Sequence, residues 1–253
     1  MDATQRRQHI LTMARRQGDV DVRQLAVDLD VAAETIRRDL SLLAQQGLVR
    51  RTHGGAYPVE SARFETALET RSARMTVEKR RIATAAVEHL GDAESIYLDE
   101  GYTPQLIAEA LPTHRPLTVV TASLHTAAIL APHPTITVVL LGGRVRGRTL
   151  ATVDHWATGM LASFVIDLAY LGANGVSRKH GLTTPDPAVA AVKSQVVAVS
   201  RRVVFAGVHT KFGGSSFCRF ADVADVDTVV TDTGLPASEA HRYSLLGPVV
   251  LRV

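Results

Sequence analysis

The alternation of apolar and polar positions is most regular between Val31 and Tyr57. Ile36, Leu40 and Leu43 are separated by four and three residues, and Gly47 follows four residues later. A helix with this spacing has one apolar or small face that can pack on a core, and Gly47 is expected to end it. The opposite face of the predicted helix is polar and is formed by Glu34, Thr35, Arg37, Arg38 and Ser41.

The segments on either side of this helix show shorter patterns. Residues 5–17 and 23–29 each have one apolar helical face, and a very short strand is predicted between them at 20–22. The turn at 30–33 leads into the helix with the polar face. After that helix, two short strands are predicted about a turn at Gly54-Gly55. The predicted order is helix, strand, helix, turn, helix, hairpin.

Basic residues lie both on the polar helix face and in the hairpin, where Arg50, Arg51 and His53 are expected to be exposed. An α-helix fits the major groove of B-DNA, in which arginine can bind guanine edges or phosphates. The element order is that of a winged helix-turn-helix, whose recognition helix enters that groove. The predicted partner is therefore double-stranded operator DNA. The candidate DNA contacts are Glu34, Thr35, Arg37, Arg38, Ser41, Arg51 and His53.

A second and longer pattern begins after the hairpin. Residues 58–75 mix charged and small residues and are interpreted as a linker, and residues 76–90 predict an amphipathic helix that ends at Gly91. Beyond it, short apolar runs rich in β-branched residues alternate with helical segments, which predicts a mostly parallel α/β sheet. The predicted domains are therefore 1–57, which binds DNA, and 76–253. The predicted strands are SIYLD, LTVVT, ITVVLL, DLAYLG, RVVFAG and DTVVTD, and the helices between them are 104–110, 124–131, 155–161 and 187–200.

Small, hydroxylic and charged residues follow the predicted strands. In open α/β sheets, ligands bind beyond the carboxyl ends of the strands. After the first strand, Thr103 is expected to cap a helix and Pro104 to occupy its first position. The N-terminus of a helix favours an anion such as phosphate. Comparable loops follow the later strands at 121–123, 142–143, 172–175 and 208–213.

Composition limits the possible functions without naming one. With 253 residues, of which 46% are hydrophobic, the chain can form a small module and one large core. A net charge of +3 and a pI of about 9.2 are modest for a DNA-binding protein, so the local arginines matter more than the total. The sequence has no run of eighteen apolar residues and no targeting signal, so a cytoplasmic location and no membrane partner are expected.

Residues that could hold a metal or a cofactor are sparse. Cys218 is the only cysteine, so neither a disulfide within one chain nor a thiolate metal cluster is expected. The histidines are scattered, and Asp154-His155 is interpreted as the start of a helix rather than as a pair of metal ligands. No nucleotide-binding fingerprint occurs. No metal and no cofactor are therefore predicted.

Two groups of motifs resemble one known family. Residues 35–40 (TIRRDL), Gly47, Arg51 and His53-Gly54-Gly55 resemble the DNA-binding domain of the DeoR family of bacterial transcriptional regulators. Residues 76–253 resemble the sensor domain of the same family, which is related to sugar-phosphate isomerases and coenzyme A transferases. The resemblance implies a Rossmann-like, mostly parallel α/β domain that binds a sugar phosphate or a similar metabolite. With the two variant loop positions included, the residues of the implied pocket are Asp99, Glu100, Gly101, Tyr102, Thr103, Thr121, Ser123, Gly142, Gly143, Asn174, Gly175 and Lys211.

Four positions depart from the family pattern. Ala32 replaces a serine that would cap the recognition helix, which removes about 1 kcal/mol of stability unless another group provides the cap. Glu100 and Tyr102 replace Ser and Thr in the first strand-end loop, and Val208 replaces an aspartate in the loop that contains the lysine. A carboxylate at Glu100 would repel a phosphate bound at the start of the following helix.

These departures leave two alternatives for the effector. In the first, it is anionic and is held by Lys211 together with Arg144, Arg146 or Arg148. In the second, it is an uncharged sugar or polyol. Glu100 then accepts hydrogen bonds from its hydroxyl groups, and Tyr102 provides a stacking surface.

The predicted function is a ligand-controlled repressor of genes for carbohydrate catabolism or transport. The chains are expected to form a homo-oligomer, a dimer or a tetramer, that places two recognition helices on successive half-sites. Effector binding is expected to change this arrangement and to release the DNA. The alternative is an isomerase with an appended DNA-binding module, in which Asp99, Glu100 and Lys211 are nominal acid–base groups. Val208 cannot act as an acid or a base, and no turnover is expected.

Overall fold

The computed structural model describes residues 2–17, 20–46, 48–52, 54–58 and 75–253. The chain divides into two compact units, residues 1–70 and 71–253. The predicted division at 1–57, 58–75 and 76–253 differs from this one in its boundaries. Pro58, the first residue of the predicted linker, is the last residue of a strand, and residues 59–74 lie outside the described part of the chain.

The first unit has the predicted order of elements. Its three strands form an antiparallel sheet in the order β1-β3-β2, and the apolar faces of the three helices enclose one small core with Ile10, Leu25, Ile36 and Leu40 at its centre. The predicted winged helix-turn-helix is therefore confirmed. Its elements are α1 (Ala3–Gln17), β1 (Val20–Asp21), α2 (Val22–Asp28), α3 (Ala33–Gln45), β2 (Val49–Thr52) and β3 (Gly55–Pro58).

The recognition helix α3 begins without a side-chain cap. Ala32 occupies the N-cap position in an extended conformation, and only its carbonyl takes part, accepting the backbone N–H of Thr35 at 2.9 Å. The preceding helix α2 is capped in the usual way, because a carboxylate oxygen of Asp21 accepts the N–H groups of Arg23 at 2.7 Å and Gln24 at 3.0 Å. The expected loss of a cap at Ala32 is thus observed, and no side chain of the described residues replaces it.

A buried ion pair fixes α3 against α1 instead. Arg6 Nε lies 2.6 Å from Asp39 Oδ2, and both side chains are almost completely removed from solvent. Asp39 lies on the inner side of α3, near the apolar residues that face the core. Burial of a charge is costly unless it is paired, so this contact strongly favours one orientation of the two helices.

The second unit is a three-layer α/β structure. Seven parallel strands form one sheet in the order β15-β14-β12-β9-β4-β5-β6. Helices α4, α5 and α6 contribute to one buried cluster, and α7, α8 and α9 contribute to another. Successive residues of β4 belong to different clusters, Ile96 to the first and Tyr97 to the second, because side chains along a strand alternate between faces.

The helices and strands of this unit have the following bounds. Its helices are α4 (Thr76–Val87), α5 (Tyr102–Ala110), α6 (Leu124–Leu130), α7 (His155–Leu161), α8 (Pro187–Val199) and α9 (Ala237–Ser244). Its strands are β4 (Ser95–Leu98), β5 (Leu117–Thr121), β6 (Ile136–Leu140), β7 (Arg144–Arg146), β8 (Ala151–Val153), β9 (Leu168–Leu171), β10 (Gly175–Ser177), β11 (Gly181–Thr184), β12 (Val203–Ala206), β13 (Cys218–Ala221), β14 (Thr228–Thr231) and β15 (Val249–Arg252).

The six predicted strands all belong to the main sheet, which confirms the predicted fold class. The sequence patterns did not predict the edge strand β15, the β7–β8 hairpin or the small antiparallel sheet β10-β11-β13. The expected start of α5 was also wrong. The helix begins at Tyr102, with Gly101 as its N-cap at φ 120°, a conformation that L side chains rarely adopt, and Thr103 makes no cap. Pro104 is therefore the third residue of the helix and not the first.

Replacement of Arg6 by methionine should lower the free energy of unfolding of the first unit by about 3 kcal/mol, because Asp39 would remain buried without its partner. Urea denaturation followed by circular dichroism measures this change. The double variant Arg6→Met/Asp39→Leu should lose less than the single variant, and Arg7→Met on the same helix should change stability by at most about 0.5 kcal/mol. Equal losses for the single and double variants would show that the pair does not hold the helices.

Candidate functional site

The outer face of α3 brings four of the predicted DNA contacts together. Glu34 and Arg37 form an exposed ion pair with Nη1 and Oε2 3.0 Å apart. Ser41 Oγ donates to the carbonyl of Arg37 at 2.8 Å. Arg51, which projects from β2, donates from Nη1 to Ser41 Oγ at 2.6 Å and to the Arg37 carbonyl at 3.2 Å. The first strand of the wing is therefore bonded directly to the recognition helix.

The remaining predicted DNA contacts differ in their surroundings. Arg38 is exposed and forms no hydrogen bond or ion pair with any other residue that the structure describes. Thr35 is half-buried near the start of α3, and His53 lies outside the described residues. An exposed guanidinium without an internal partner keeps all its donors for a ligand, so Arg38 is best placed to read a base edge or to bind a phosphate.

In the second unit, the first strand-end loop is organised by a lysine that the sequence analysis missed. Lys193 lies on α8, is 3% exposed, and its ammonium bonds Asp99 Oδ2. It also donates to the carbonyl of Gly172 at 3.0 Å and lies 3.6 Å from Glu100 Oε1. Asp99 Oδ2 in turn accepts the backbone N–H of Gly172 at 2.8 Å. One ammonium thus joins the loops that follow β4 and β9.

This cluster contains two carboxylates and one ammonium group. Asp99 is fully buried, and its Oδ1 has no hydrogen-bond partner among the described residues. Burial, followed by the charges of Asp99 and Glu100, raises the pKa of Tyr97 well above its ordinary value, so this phenol stays protonated. The carboxylate of Glu100 faces Lys193 and is almost completely buried. The polyol alternative requires this carboxylate to accept hydrogen bonds from the ligand, and in this conformation it is not accessible for that role.

Three further predicted pocket residues are buried, and two of them make internal hydrogen bonds. Thr121 Oγ1 donates to the carbonyl of Leu98 at 2.7 Å and accepts the N–H of Ser123 at 3.0 Å. Ser123 Oγ caps α6 by accepting the N–H of Thr126 at 3.2 Å. Thr103 is buried within the first turn of α5. The hydroxyl groups of Thr121 and Ser123 therefore hold the loop after β5 from inside the protein.

The accessible members of the predicted pocket are fewer. Tyr102, Asn174 and Lys211 are half-buried and Gly142 and Gly143 are exposed, whereas Gly101 and Gly175 are buried. Lys79 Nζ lies 5.6 Å from the ring centroid of Tyr102, within cation–π range. Asn174 Oδ1 accepts the hydroxyl of Thr184 at 3.3 Å. The contacts that an effector can reach in this conformation therefore come from α5 and from the loops after β6, β9 and β12.

A histidine–aspartate pair also lies at this edge and was not among the predicted residues. Asp232, at the end of β14, accepts the backbone N–H of His209 at 2.7 Å, and its Oδ2 lies 2.5 Å from His209 Nδ1. Burial raises the pKa of Asp232, but the hydrogen bonds and the charge of His209 together with the N–H of Gly234 outweigh that effect and leave the pKa below its usual value. The pair fixes the start of the loop that carries Lys211.

The loop after β6 forms an open cleft of about 530 Å³. Arg144 Nε lies 2.8 Å from Asp154 Oδ2. Arg144 is the first residue of β7, and Asp154 directly follows β8, the other strand of the same hairpin. Trp156 is 65% exposed beside them. The cleft is lined by Gly142, Gly143, Arg144, Asp154, His155, Trp156 and Met160.

The spacing of apolar residues in α8 could have identified Lys193. It is flanked by Val189 and Val196, four residues before and three after, and all three lie on the buried face of a helix with few polar residues. A lysine at such a position requires a buried carboxylate partner. The pairing of His209 with Asp232 and the exposure of Trp156 have no comparable signal in the sequence.

A metal site and a membrane-spanning helix are both absent from the described residues. Among the described residues, no three His, Cys, Asp or Glu side chains are grouped so that they could hold a metal ion. Within the same residues, no helix is long and apolar enough to cross a membrane.

Two family models match the chain, one for each unit. Residues 6–62 match the DeoR-like helix-turn-helix domain, and residues 74–233 match the DeoR C terminal sensor domain. The second match alone covers more than half of the chain. Both matches agree with the fold of the corresponding unit.

Relatives named as transcriptional repressors match over nearly the whole length of the chain. The glycerol-3-phosphate regulon repressor of Escherichia coli K12 is 32% identical over 94% of both chains. The HTH-type transcriptional repressor CsqR of the same organism is 31% identical over 94% of this chain and 90% of the relative. The putative aga operon transcriptional repressor of Escherichia coli O157:H7 is 28% identical over 99% and 94%.

Among solved structures, a probable sor operon regulator from Shigella flexneri aligns at a TM-score of 0.42 and 10% identity, over 68% of this chain and 90% of that one. A similarity at this level carries no argument about function. The family models and the relatives that match along the full length do carry one: this chain belongs to the DeoR family of transcriptional regulators, with a helix-turn-helix DNA-binding domain followed by the family's sensor domain.

Proposed function

We propose that this chain represses genes of carbohydrate catabolism or transport by binding operator DNA through α3 and the wing. The observation that carries the proposal is the outer face of α3, where the exposed Arg38 lies beside a bonded group of Glu34, Arg37, Ser41 and Arg51. This group joins the helix to the wing and leaves one guanidinium for the DNA. DNA binding of this kind also agrees with a cytoplasmic location.

A single recognition helix buries too little surface for tight and specific binding, so we propose that the protein acts as a dimer or a tetramer. The second units associate, and two copies of α3 then contact half-sites about one turn of DNA apart. An effector bound at the strand ends of the second unit shifts the population toward an arrangement that no longer matches this spacing. The proposed response is release of the DNA.

The contacts of Glu100 weaken the argument that its negative charge would repel a phosphorylated effector. Glu100 faces Lys193 and not the solvent, so its charge is partly compensated before any ligand binds. Two of the arginines expected to hold an anion are themselves paired, Arg144 with Asp154 and Arg146 with Asp186 at 3.0 Å. We propose a sugar phosphate or a related polyol phosphate with its anionic group near Lys211, and glycerol 3-phosphate is the first compound to test because one relative is named for that regulon.

We further propose that the protein has no isomerase activity. The nominal acid–base groups Asp99 and Glu100 are buried and bonded to Lys193, so neither is placed to take a proton from a bound sugar. Val208 is apolar and buried. The geometry supports a binding protein in which these charges hold the loops in position.

Replacement of Arg38 by alanine should weaken operator binding by about 1 to 3 kcal/mol, because a guanidinium with no internal partner is removed from the DNA-facing surface. Fluorescence anisotropy with labelled promoter fragments from the gene's own locus measures the change, and the thermal midpoint should stay constant. Arg242→Ala, which removes an exposed arginine of the second unit, is the control for net charge. Equal losses in both variants would contradict a role of Arg38 at the DNA surface.

Replacement of Arg51 by alanine should weaken binding to all sequences alike and lower the salt slope of log K by about 1, as expected for one lost phosphate contact. Ser41→Ala removes the partner of Arg51 on α3 but no positive charge, so it should lower affinity without changing that slope. Titrations of random-sequence duplex at several salt concentrations measure both. An unchanged slope in Arg51→Ala would show that Arg51 positions α3 and does not bind phosphate.

Replacement of Glu100 by serine should strengthen binding of a phosphorylated effector relative to its unphosphorylated partner by about 1 kcal/mol, because one negative charge near the site is removed. Calorimetry with matched pairs, beginning with glycerol and glycerol 3-phosphate, measures the difference. Glu100→Gln keeps the shape and should give the same sign. An unchanged ratio in both variants would show that Glu100 does not set charge preference, and recovery of an isomerised compound would contradict the absence of catalysis.

A further inference from the structure

The cleft at the end of β6 contains a residue in an unusual backbone conformation. Asp154 has φ 78° and ψ −172°, a combination that is favourable almost only for glycine. Conformations of this kind persist where the surrounding structure requires them, and they concentrate at functional sites. This backbone conformation places Asp154 among the residues that line the cleft.

The carboxylate of Asp154 forms a two-pronged pair with Arg144. The distances are 2.8 Å from Arg144 Nε to Oδ2 and 3.4 Å from Nη2 to Oδ1. The arginine side chain is 64% exposed and that of Asp154 is 33% exposed, so both keep polar atoms that face solvent. A hydroxyl group can donate to the carboxylate and accept from the guanidinium, so the pair offers both halves of a charge-assisted hydrogen-bond arrangement.

An aromatic surface lies next to this pair. Trp156 is exposed over 65% of its surface, and its ring centroid lies 4.9 Å from that of His155. Tryptophan is large and apolar and is usually mostly buried, so an indole left open beside a cleft marks a binding surface. The volume of about 530 Å³ lies within the range of small-molecule sites.

We propose that this cleft binds the ring of a cyclic sugar, with the C–H face of the ring stacked on Trp156 and its hydroxyl groups bonded to Asp154 and Arg144. The inference rests on the proposed function in one respect, since it adds a ring-binding subsite to a sensor of carbohydrate effectors. A polyhydroxylated ring fits because it has both an apolar face and a polar rim. The charged pair at the cleft favours such a molecule over the apolar surface of a second copy of the chain.

Trp156 is the only tryptophan of the chain, so its fluorescence reports on this cleft alone. The full-length protein, without DNA, is titrated with glucose, galactose, fructose and ribose and with their phosphate esters. Glycerol serves as the acyclic control and inorganic phosphate as the anion control. At least one cyclic sugar or ester should give a saturable change in emission, and neither control should.

Asp154→Gly separates binding from stability. Glycine adopts the observed backbone conformation without strain, so the thermal midpoint should stay constant or rise, whereas the sugar affinity should fall about tenfold because the carboxylate is lost. Asp154→Asn, which keeps an acceptor but removes the charge, should give a smaller loss. A residue with only a structural role would not move stability and affinity in opposite directions.

Several results would overturn the proposal. One is the absence of a saturable response to every sugar, another is an equal response in Asp154→Gly, and a third is a response to phosphate alone. A change in emission with protein concentration in the absence of sugar would show that the cleft is an interface between copies. Because the measurement uses no DNA, release of operator DNA by an effector that leaves Trp156 unchanged would refute this site and leave the proposed repressor function standing.

Discussion

The second unit depends on the burial of one ammonium group at the carboxyl edge of its sheet. Lys193 comes from a helix packed on the sheet, and its partners Asp99 and Gly172 come from loops after two neighbouring strands. A buried charge is tolerated only when its partners remain in place, so the pair ties the positions of helix and loops together. Any effector that moves one of these loops must act against this contact or keep it intact.

The first unit uses the same kind of constraint at a smaller scale. Asp39 lies on the inner side of the recognition helix and is paired with Arg6, while Arg51 bonds the outer side of that helix to the wing. The helix is therefore held from both sides by guanidinium groups, and in the part of the chain that the structure describes no side chain caps its start at Ala32. Preorganisation of this kind reduces the entropy lost when the unit binds DNA.

The elements that the sequence predicted well share a local cause. Helical and strand periodicity identified α3 and all six predicted strands of the main sheet, because each pattern depends on which face of one element is buried. The start of α5 was misplaced because Thr103 and Pro104 are good residues for a helix start, whereas the chain uses Gly101 at positive φ two positions earlier. The strands β7, β8 and β10 have three residues each, too few for a pattern. β11 (GLTT) and β13 (CRFA) are as long as several predicted strands but contain no continuous apolar run.

The residues of the candidate site could be predicted from the sequence only in part. By itself, the sequence determined the family, the order of elements, the polar face of the recognition helix and the sheet edge on which small and charged residues converge. Only the tertiary structure decided the direction of each side chain. Asp99 finds its partner Lys193 94 residues away, Glu100 faces inward, and Trp156 remains open beside a strained Asp154. These outcomes depend on packing between distant segments. The periodicity of α8 could have shown that Lys193 is buried, but not which carboxylate it contacts.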